Sequence, residues 1–130
     1  MHFFNIPFNA KLTEETDRIY FHYRNWNSMI IRLDKSFKKA DVVLAKIVDS
    51  ASKATQQFKY HIESRNLNKI YFSHSRLFNN QRTLGSSILF KGNRFYYHIF
   101  SELLKPDPES ENVKKIISEW PRNVLIKCDI

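Results

Sequence analysis

The sequence predicts a single-domain α+β protein in which two long N-terminal helices pack on a mainly antiparallel sheet, in the order β-α-α-β-β-β-α-β. Three observations predict this class. Apolar residues recur at helical spacing through the first half of the chain, aromatic and β-branched runs broken by turn residues fill the middle, and a helix-capping sequence lies near the end. A chain of 130 residues, 42% of them hydrophobic, is long enough to form one domain with its own core.

The N-terminal part predicts a short strand and a first long helix. Residues 3–8 are mostly apolar, and Pro7 restricts that strand to an edge of the sheet. Thr13 is a candidate N-cap, and Glu14 and Glu15 follow in the first turn, where acids suit the positive end of the helix dipole. Apolar residues then recur at spacings of four and three, at Ile19, Tyr23, Trp26, Ile30 and Leu33. This spacing predicts one buried helix face, with Trp26 in the core.

A second helix is predicted from the N-cap candidate Asp41 to about residue 65. Its apolar stripe consists of Leu44, Ile47, Ala51, Phe58 and Ile62. The middle of this stretch is poor in large side chains, which would allow a neighbouring element to approach closely. We therefore expect the two helices to form an antiparallel pair.

The middle of the chain predicts the sheet. Residues 70–78 form one strand, and Asn79-Asn80-Gln81 forms a turn. Residues 87–90 and 94–100 flank Lys91-Gly92-Asn93, a short hairpin loop. Near the end, Asp107-Pro108-Glu109 starts a short helix, and residues 124–126 form a last strand.

Composition excludes several classes of protein. The single cysteine, Cys128, excludes an intrachain disulfide and a Cys-rich zinc site, and its apolar surroundings predict a small buried side chain. No phosphate-binding glycine motif and no zinc-binding histidine spacing occurs, so we expect no metal and no cofactor. No apolar run approaches the length of a membrane span, and residues 1–8 do not resemble a signal peptide, which predicts a cytoplasmic protein.

The charge distribution indicates a polyanionic partner. The net charge is +8, and no acid occurs between Glu63 and Glu102, a stretch that is also rich in aromatic residues. Cations release counterions from phosphates, and aromatic rings stack on unpaired bases, so this composition predicts RNA or another polyanion as the partner. The candidate nucleic-acid-binding residues are Arg65, Lys69, Tyr71, Arg76, Arg82 and Lys91.

Strand alternation supplies a candidate catalytic set. In residues 94–100, Arg94, Tyr96, His98 and Phe100 share one face, which we predict to be the working face, and the other residues face the core. Cleavage of RNA without a metal needs proton-transfer groups and cations beside the phosphate, because the 2′-hydroxyl can serve as the nucleophile. His98, Tyr96, Arg94 and His74 are the residue types that this chemistry requires.

The predicted order of a leading strand, two helices and an antiparallel meander is similar to that of small RelE-type ribonuclease toxins. That resemblance is one of element order, and it implies a metal-independent ribonuclease with arginines, tyrosines and sometimes histidine on the meander. No motif in this sequence is specific to that family, and the helix–strand unit predicted at the end is additional to it.

Two other interpretations remain open. The basic residues could form an ordinary solvated surface, and the histidines and tyrosines could be structural. Alternatively, the chain could be a non-catalytic protein-binding module, such as an immunity, anti-host or adaptor protein, that docks an acidic partner through its basic face and exposed aromatic residues. Nucleic-acid binding without cleavage is distinguished from these by a steep dependence of affinity on salt.

Overall fold

A computed structural model describes residues 11–14, 17–23 and 25–105 of the chain. The strand predicted at residues 3–8, the helix predicted after Pro108, the last strand at residues 124–126 and Cys128 all lie outside these residues. The described part contains one helix and one antiparallel sheet.

The sheet has eight strands within the described residues, and neighbouring strands all run antiparallel. In chain order they are β1 (Lys11–Glu14), β2 (Arg18–Tyr23), β3 (Trp26–Lys35), β4 (Gln56–Arg65), β5 (Lys69–Phe78), β6 (Gln81–Arg82), β7 (Leu84–Lys91) and β8 (Phe95–Leu103). Their spatial order is β1-β2-β3-β8-β7-β5-β4, and the short β6 pairs with β5. The pairing of β3 with β8 therefore joins the first strands to the later meander.

The helix α1 (Ala40–Ala54) connects β3 to β4 and lies on one face of the sheet, which we call the helix face. Val43 and Leu44 of α1 are buried in one hydrophobic cluster with side chains of β5, β7 and β8. The sheet side chains of this cluster are Ile70, Phe72, Leu89 and Tyr96. Because side chains alternate along a strand, this cluster identifies which residues of every strand share the helix face.

The opposite face of the sheet is buried along its centre. Trp26, Ile30, Ile88 and Ile99 are each no more than 3% exposed, and strand register places Ile30 and Ile88 on either side of Ile99. Toward β4 the same face is much more accessible, since Lys59 and His61 are exposed and Lys69 is only partly buried. This change in exposure along one face separates a core region from an open one.

The predicted first helix is wrong, because residues 11–35 form β1, β2 and β3. A spacing of four residues is twice the strand repeat of two and is also close to the helical repeat of about 3.6, so the pair Ile19 and Tyr23 fitted either structure. The alternation of buried and half-buried side chains in β3 is that of a strand: Trp26, Ser28 and Ile30 are buried on one face. The β2–β3 turn at Asn25 then joins two strands, with Ile19 paired to Ile30.

The predicted second helix is correct only in its first part. The helix ends at Ala54, and residues 56–65 form β4. Phe58, Tyr60 and Ile62 are aromatic or β-branched and alternate, which favours an extended chain, whereas the small residues before Ala54 suit a helix. The predicted pair of long helices, and with it the resemblance to RelE-type toxins in element order, is therefore overturned.

The central strand and hairpin predictions are confirmed by β5, β7 and β8. The predicted turn after residue 78 is also present, with Asn79 and Asn80 at positive φ values of 49° and 63°. Asparagine tolerates this left-handed conformation, which a type I′ hairpin turn requires at both of its central positions. The pairing of Phe78 with Gln81 closes this turn.

Candidate nucleic-acid interface

The accessible part of the sheet opposite α1 forms a basic surface on β4, β5 and β6. We call it the basic face and define it by Lys59, His61, Lys69, Tyr71 and Arg82. In β5, Ile70 and Phe72 point to α1, so Lys69 and Tyr71 point to the opposite side. Strand register places the β4 and β6 members on that same side.

Register also gives the arrangement of the basic face. Lys59 is opposite Ser75, and His61 is opposite Ser73. Residues directly opposite each other have Cβ atoms roughly 5 Å apart, and alternate residues on one strand lie about 7 Å apart. Lys59 and His61 are therefore about 7 Å apart, close to the interval of successive phosphates along an extended strand, and Ser75 and Ser73 lie beside them.

Arg82 is held in place by a bulge in β4. Its Nη1 donates to the backbone oxygen of Gln57 at 2.6 Å and to Ser75 Oγ at 3.2 Å, and its Nη2 donates to Gln57 Oε1 at 3.0 Å. Gln57 has a positive φ of 51° at the point where the β4–β5 register shifts. The bulge thus turns the Gln57 carbonyl and amide toward the guanidinium, which fixes this cation beside the serines of β5.

The other cations of the basic face are less constrained. The Lys69 ammonium lies 5.8 Å from the centre of the Phe90 ring, a cation–π contact that leaves its charge intact. Within the described residues, Lys59, Lys69 and Arg82 form no ion pair. Glu63 of β4 is the nearest acid in sequence, and no other acid follows it until Glu102. The five side chains that define the basic face include three cations and no acid, so their summed charge is positive.

The structure brings together three of the six predicted nucleic-acid-binding residues: Lys69, Tyr71 and Arg82. Arg65 is instead hydrogen-bonded to Asp41 of α1 at 2.8 Å, and Lys91 is exposed at the far end of β7. Lys59 and His61 are not among the predicted residues, because the predicted second helix includes both positions. The alternation of Phe58, Tyr60 and Ile62 is the signal that would have placed both on one face of a strand.

Arg76 lies on the helix face and is neutralised there. Its Nε and Nη2 donate to the two oxygens of Glu102, at 2.8 and 2.9 Å. The Glu102 side chain is only 4% exposed, and its hydrogen bond raises the pKa of Arg76 above the ordinary value. This guanidinium compensates a buried carboxylate, so it belongs to the interior of the fold.

The predicted catalytic histidines meet, but in the interior. His74 Nε2 and His98 Nε2 lie 2.9 and 3.0 Å from the same hydroxyl, Ser87 Oγ. The hydroxyl can donate to one ring and accept from the other, so one bridge satisfies both. Gly85 makes room for this arrangement, because a Cβ at that position would overlap the His74 ring.

Burial holds both imidazoles neutral. Desolvation lowers the pKa of His74 from 6.5 to about 4 and that of His98 from 6.5 to about 3. Neither ring is therefore an imidazolium at neutral pH, so neither can act as the acid that protonates a phosphate oxygen or leaving group. Aromatic rings surround them, with Phe100 stacked on His74 at 5.3 Å and Phe72 stacked on His98 at 5.8 Å.

The other two predicted catalytic residues lie apart from this pair. The Tyr96 hydroxyl donates to the Lys38 backbone oxygen at 2.7 Å, and burial raises its pKa. Arg94 is exposed and directly precedes β8, and its guanidinium lies 6.0 Å from the Phe95 ring centre. It is four residues from His98, or about 13 Å along an extended chain. The predicted working face of β8 is the helix face, and α1 covers it.

The described residues offer neither a metal site nor a membrane-spanning helix. No three His, Cys, Asp or Glu side chains among them are grouped so that they could hold a metal ion. Over the same residues, no helix has both the length and the apolar character to cross a membrane.

Comparison with known proteins relates the chain to a solved structure by fold. No protein-family model and no curated protein matches the sequence. The crystal structure of PA94 from Pseudomonas aeruginosa is similar, with a TM-score of 0.51 and 16% identity, over 88% of this chain and 76% of PA94. PA94 is described as a protein of unknown function and has been suggested to be a regulator. At this identity the similarity concerns the fold alone.

Proposed function

We propose that the protein binds single-stranded RNA on the basic face, without cleaving it. The proposal rests on one observation: Lys59, His61, Lys69, Tyr71 and Arg82 lie on the same accessible side of the sheet, along β5 and its neighbours β4 and β6. An extended sheet surface that carries cations and an aromatic ring along one strand suits an unpaired strand, whose bases can lie flat on the ring.

Each group has a defined task in this interaction. Lys59, Lys69 and Arg82 would contact phosphates, and Ser73 and Ser75 would donate hydrogen bonds to phosphate oxygens between them. Tyr71 would stack on a base, which contributes about 1–3 kcal/mol per base. These contacts read charge and shape, so we expect weak sequence preference.

The positions of His74 and His98 argue against cleavage. His74 and His98 are on the helix face, on the other side of the sheet from Tyr71. Their hydrogen bonds to Ser87 and the surrounding rings support a structural role. RNA incubated with the protein in EDTA should therefore remain intact.

The test is fluorescence anisotropy with a labelled single-stranded RNA at several salt concentrations. Three phosphate contacts predict a log–log salt slope of about −2, so a tenfold rise in salt should weaken binding roughly 100-fold. Lys59→Ala combined with Lys69→Ala should weaken binding at least tenfold and bring the slope to about −1 or shallower, because one cation remains.

A matched control lies on the outer surface of the helix. Lys53 is 78% exposed in α1 and pairs only with Asp49 among the described residues, so Lys53→Ala should leave RNA affinity unchanged. If Lys53→Ala weakens RNA binding as much as the combined Lys59→Ala and Lys69→Ala substitutions do, the basic face is not the binding surface. Equal competition by polyglutamate would instead support the docking of an acidic protein.

A further inference from the structure

A separate cavity lies between α1 and the β2, β3 and β8 part of the helix face. Its volume is about 650 Å³, and it is open to solvent at one side. That volume falls within the range of about 300–1,000 Å³ that is usual for sites of small organic ligands. The cavity is on the other side of the sheet from the basic face, so the two are separate candidate binding sites.

Small side chains of α1 create this space. Ser50, Ala51 and Ala54 line the cavity, and they belong to the stretch of small residues that predicted a close approach by a neighbouring element. Within residues 17–23 and 25–105, no neighbouring element closes on them. Larger side chains of the same helix, Val43 and Ile47, line the cavity where it meets the hydrophobic cluster.

The walls of the cavity are mostly apolar. Met29, Ile31, Leu33 and Phe100 form the sheet side, opposite Ile47 and the alanines of α1. His98 reaches the cavity, but burial keeps it neutral and its Nε2 is bonded to Ser87. A peptide backbone placed here would lose water from its N–H and C=O groups without gaining enough partners, whereas a hydrocarbon chain has no such groups.

Charged groups border the apolar walls. Lys46 Nζ lies 2.8 Å from Asp34 Oδ2, and Lys38 Nζ lies 3.6 Å from the other oxygen of the same carboxylate. Arg18 is paired with Asp17 at 3.0 Å. Of these charged groups, Arg18, Lys46 and Asp34 line the cavity, so two cations against one carboxylate leave a net positive charge of one at the rim. The rim therefore complements an anionic headgroup.

From these features we propose that the cavity binds a free fatty acid, with its acyl chain between α1 and the sheet and its carboxylate at Lys46. The Lys46 ammonium is the most accessible rim cation on the helix, with a side chain that is 55% exposed. It can contact a second carboxylate while it keeps Asp34, because an ammonium has three donors.

Calorimetric titration of the intact protein with decanoate and dodecanoate tests the acyl-chain part. Each buried methylene contributes about 0.8 kcal/mol, so the two extra methylenes should lower the Kd by about tenfold. A Kd that does not depend on chain length, or no measurable binding of either acid, would overturn the proposal.

Two alanines of α1 provide matched variants. Ala51 lines the cavity, and Ala45 is exposed on the outer surface of the helix. Ala51→Trp should abolish dodecanoate binding, and Ala45→Trp should leave it unchanged. If both variants bind dodecanoate as the unmodified protein does, the cavity is not the site. The chain-length series needs no variant, so the proposal stays testable even if Ala51→Trp fails to fold.

The headgroup is tested by charge. Lys46→Glu should weaken dodecanoate binding at least tenfold and leave binding of methyl dodecanoate unchanged, since the ester has no charge to repel. Methyl dodecanoate and a dodecanoyl lysophospholipid should both bind the unmodified protein more weakly than the free acid. If either binds as tightly as dodecanoate, the rim does not recognise a free carboxylate and the assignment to a fatty acid is wrong.

Discussion

Arg76 shows how the partner of a residue decides its role. In the sequence it is one of six cations in an acid-free stretch between Glu63 and Glu102, and it was predicted to bind nucleic acid. In the fold its guanidinium makes two hydrogen bonds to Glu102, at 2.8 and 2.9 Å. An arginine that neutralises a buried carboxylate stabilises the fold and contributes little to a surface potential.

Removing one partner of this pair should be costly. Arg76→Met would leave the Glu102 carboxylate buried without its cation, so we expect a loss of about 3 kcal/mol in the free energy of unfolding. Arg76→Met combined with Glu102→Leu should recover most of that loss. Urea denaturation of the three proteins measures these values.

The exposed pair of Arg65 and Asp41 provides the comparison. Its side chains are 47% and 79% exposed, so Arg65→Met should cost no more than about 1 kcal/mol. A loss as large as that of Arg76→Met would show that burial of Glu102 is not the cause.

Among the elements, the β5–β6 hairpin is the one whose turn chemistry the sequence made plain. Asn79 and Asn80 both adopt positive φ, and Phe78 pairs with Gln81 across the turn. Glycine is better suited than asparagine to the second position of such a turn, and alanine is worse.

This conformation predicts that two substitutions of Asn80 change the free energy of unfolding in opposite directions. Asn80→Gly should raise the free energy of unfolding by a few tenths of a kcal/mol, and Asn80→Ala should lower it by about 1 kcal/mol. Thermal unfolding of the two variants measures both effects. The same order of effects at Asn66, which lies outside this turn, would contradict the explanation from φ.

The stability of the whole molecule depends on pH through the two histidines at the centre of the sheet. His74 and His98 are neutral when folded, with pKa values of about 4 and about 3, but take up protons near pH 6.5 when unfolded. The unfolded state therefore binds more protons below pH 6.5, and stability falls as the pH drops from there toward 4.

This linkage predicts a loss of about 4 kcal/mol in the free energy of unfolding between pH 7.5 and pH 5, or about 2 kcal/mol for each histidine. His74→Gln removes one titrating ring and should halve the loss. Glu102 and Arg76 face His74, but their opposing effects on its pKa are smaller than that of burial. Urea denaturation at the two pH values gives the measurement, and an unchanged dependence in His74→Gln would refute the assignment.

The sequence by itself determined the features that depend on neighbouring residues. The strand at residues 70–78, the hairpin around Gly92, the Asn79-Asn80 turn and the helix after Lys39 follow from local composition and turn preferences. The acid-free stretch was visible as well, and three of the residues predicted from it, Lys69, Tyr71 and Arg82, lie on one side of the sheet.

Only the tertiary structure decided which face each side chain occupies and whether residues 11–35 are helix or strand. Spacings of four residues fit both a helix and a strand, so only the pairing with distant residues separates them, as Ile30 does with Ile99. The same long-range pairing places His98 and Arg76 beneath α1 and leaves Lys59 and Lys69 accessible on the opposite face. A side chain's environment is set by strands far away in sequence, because burial and charge pairing depend on contacts that local patterns do not encode.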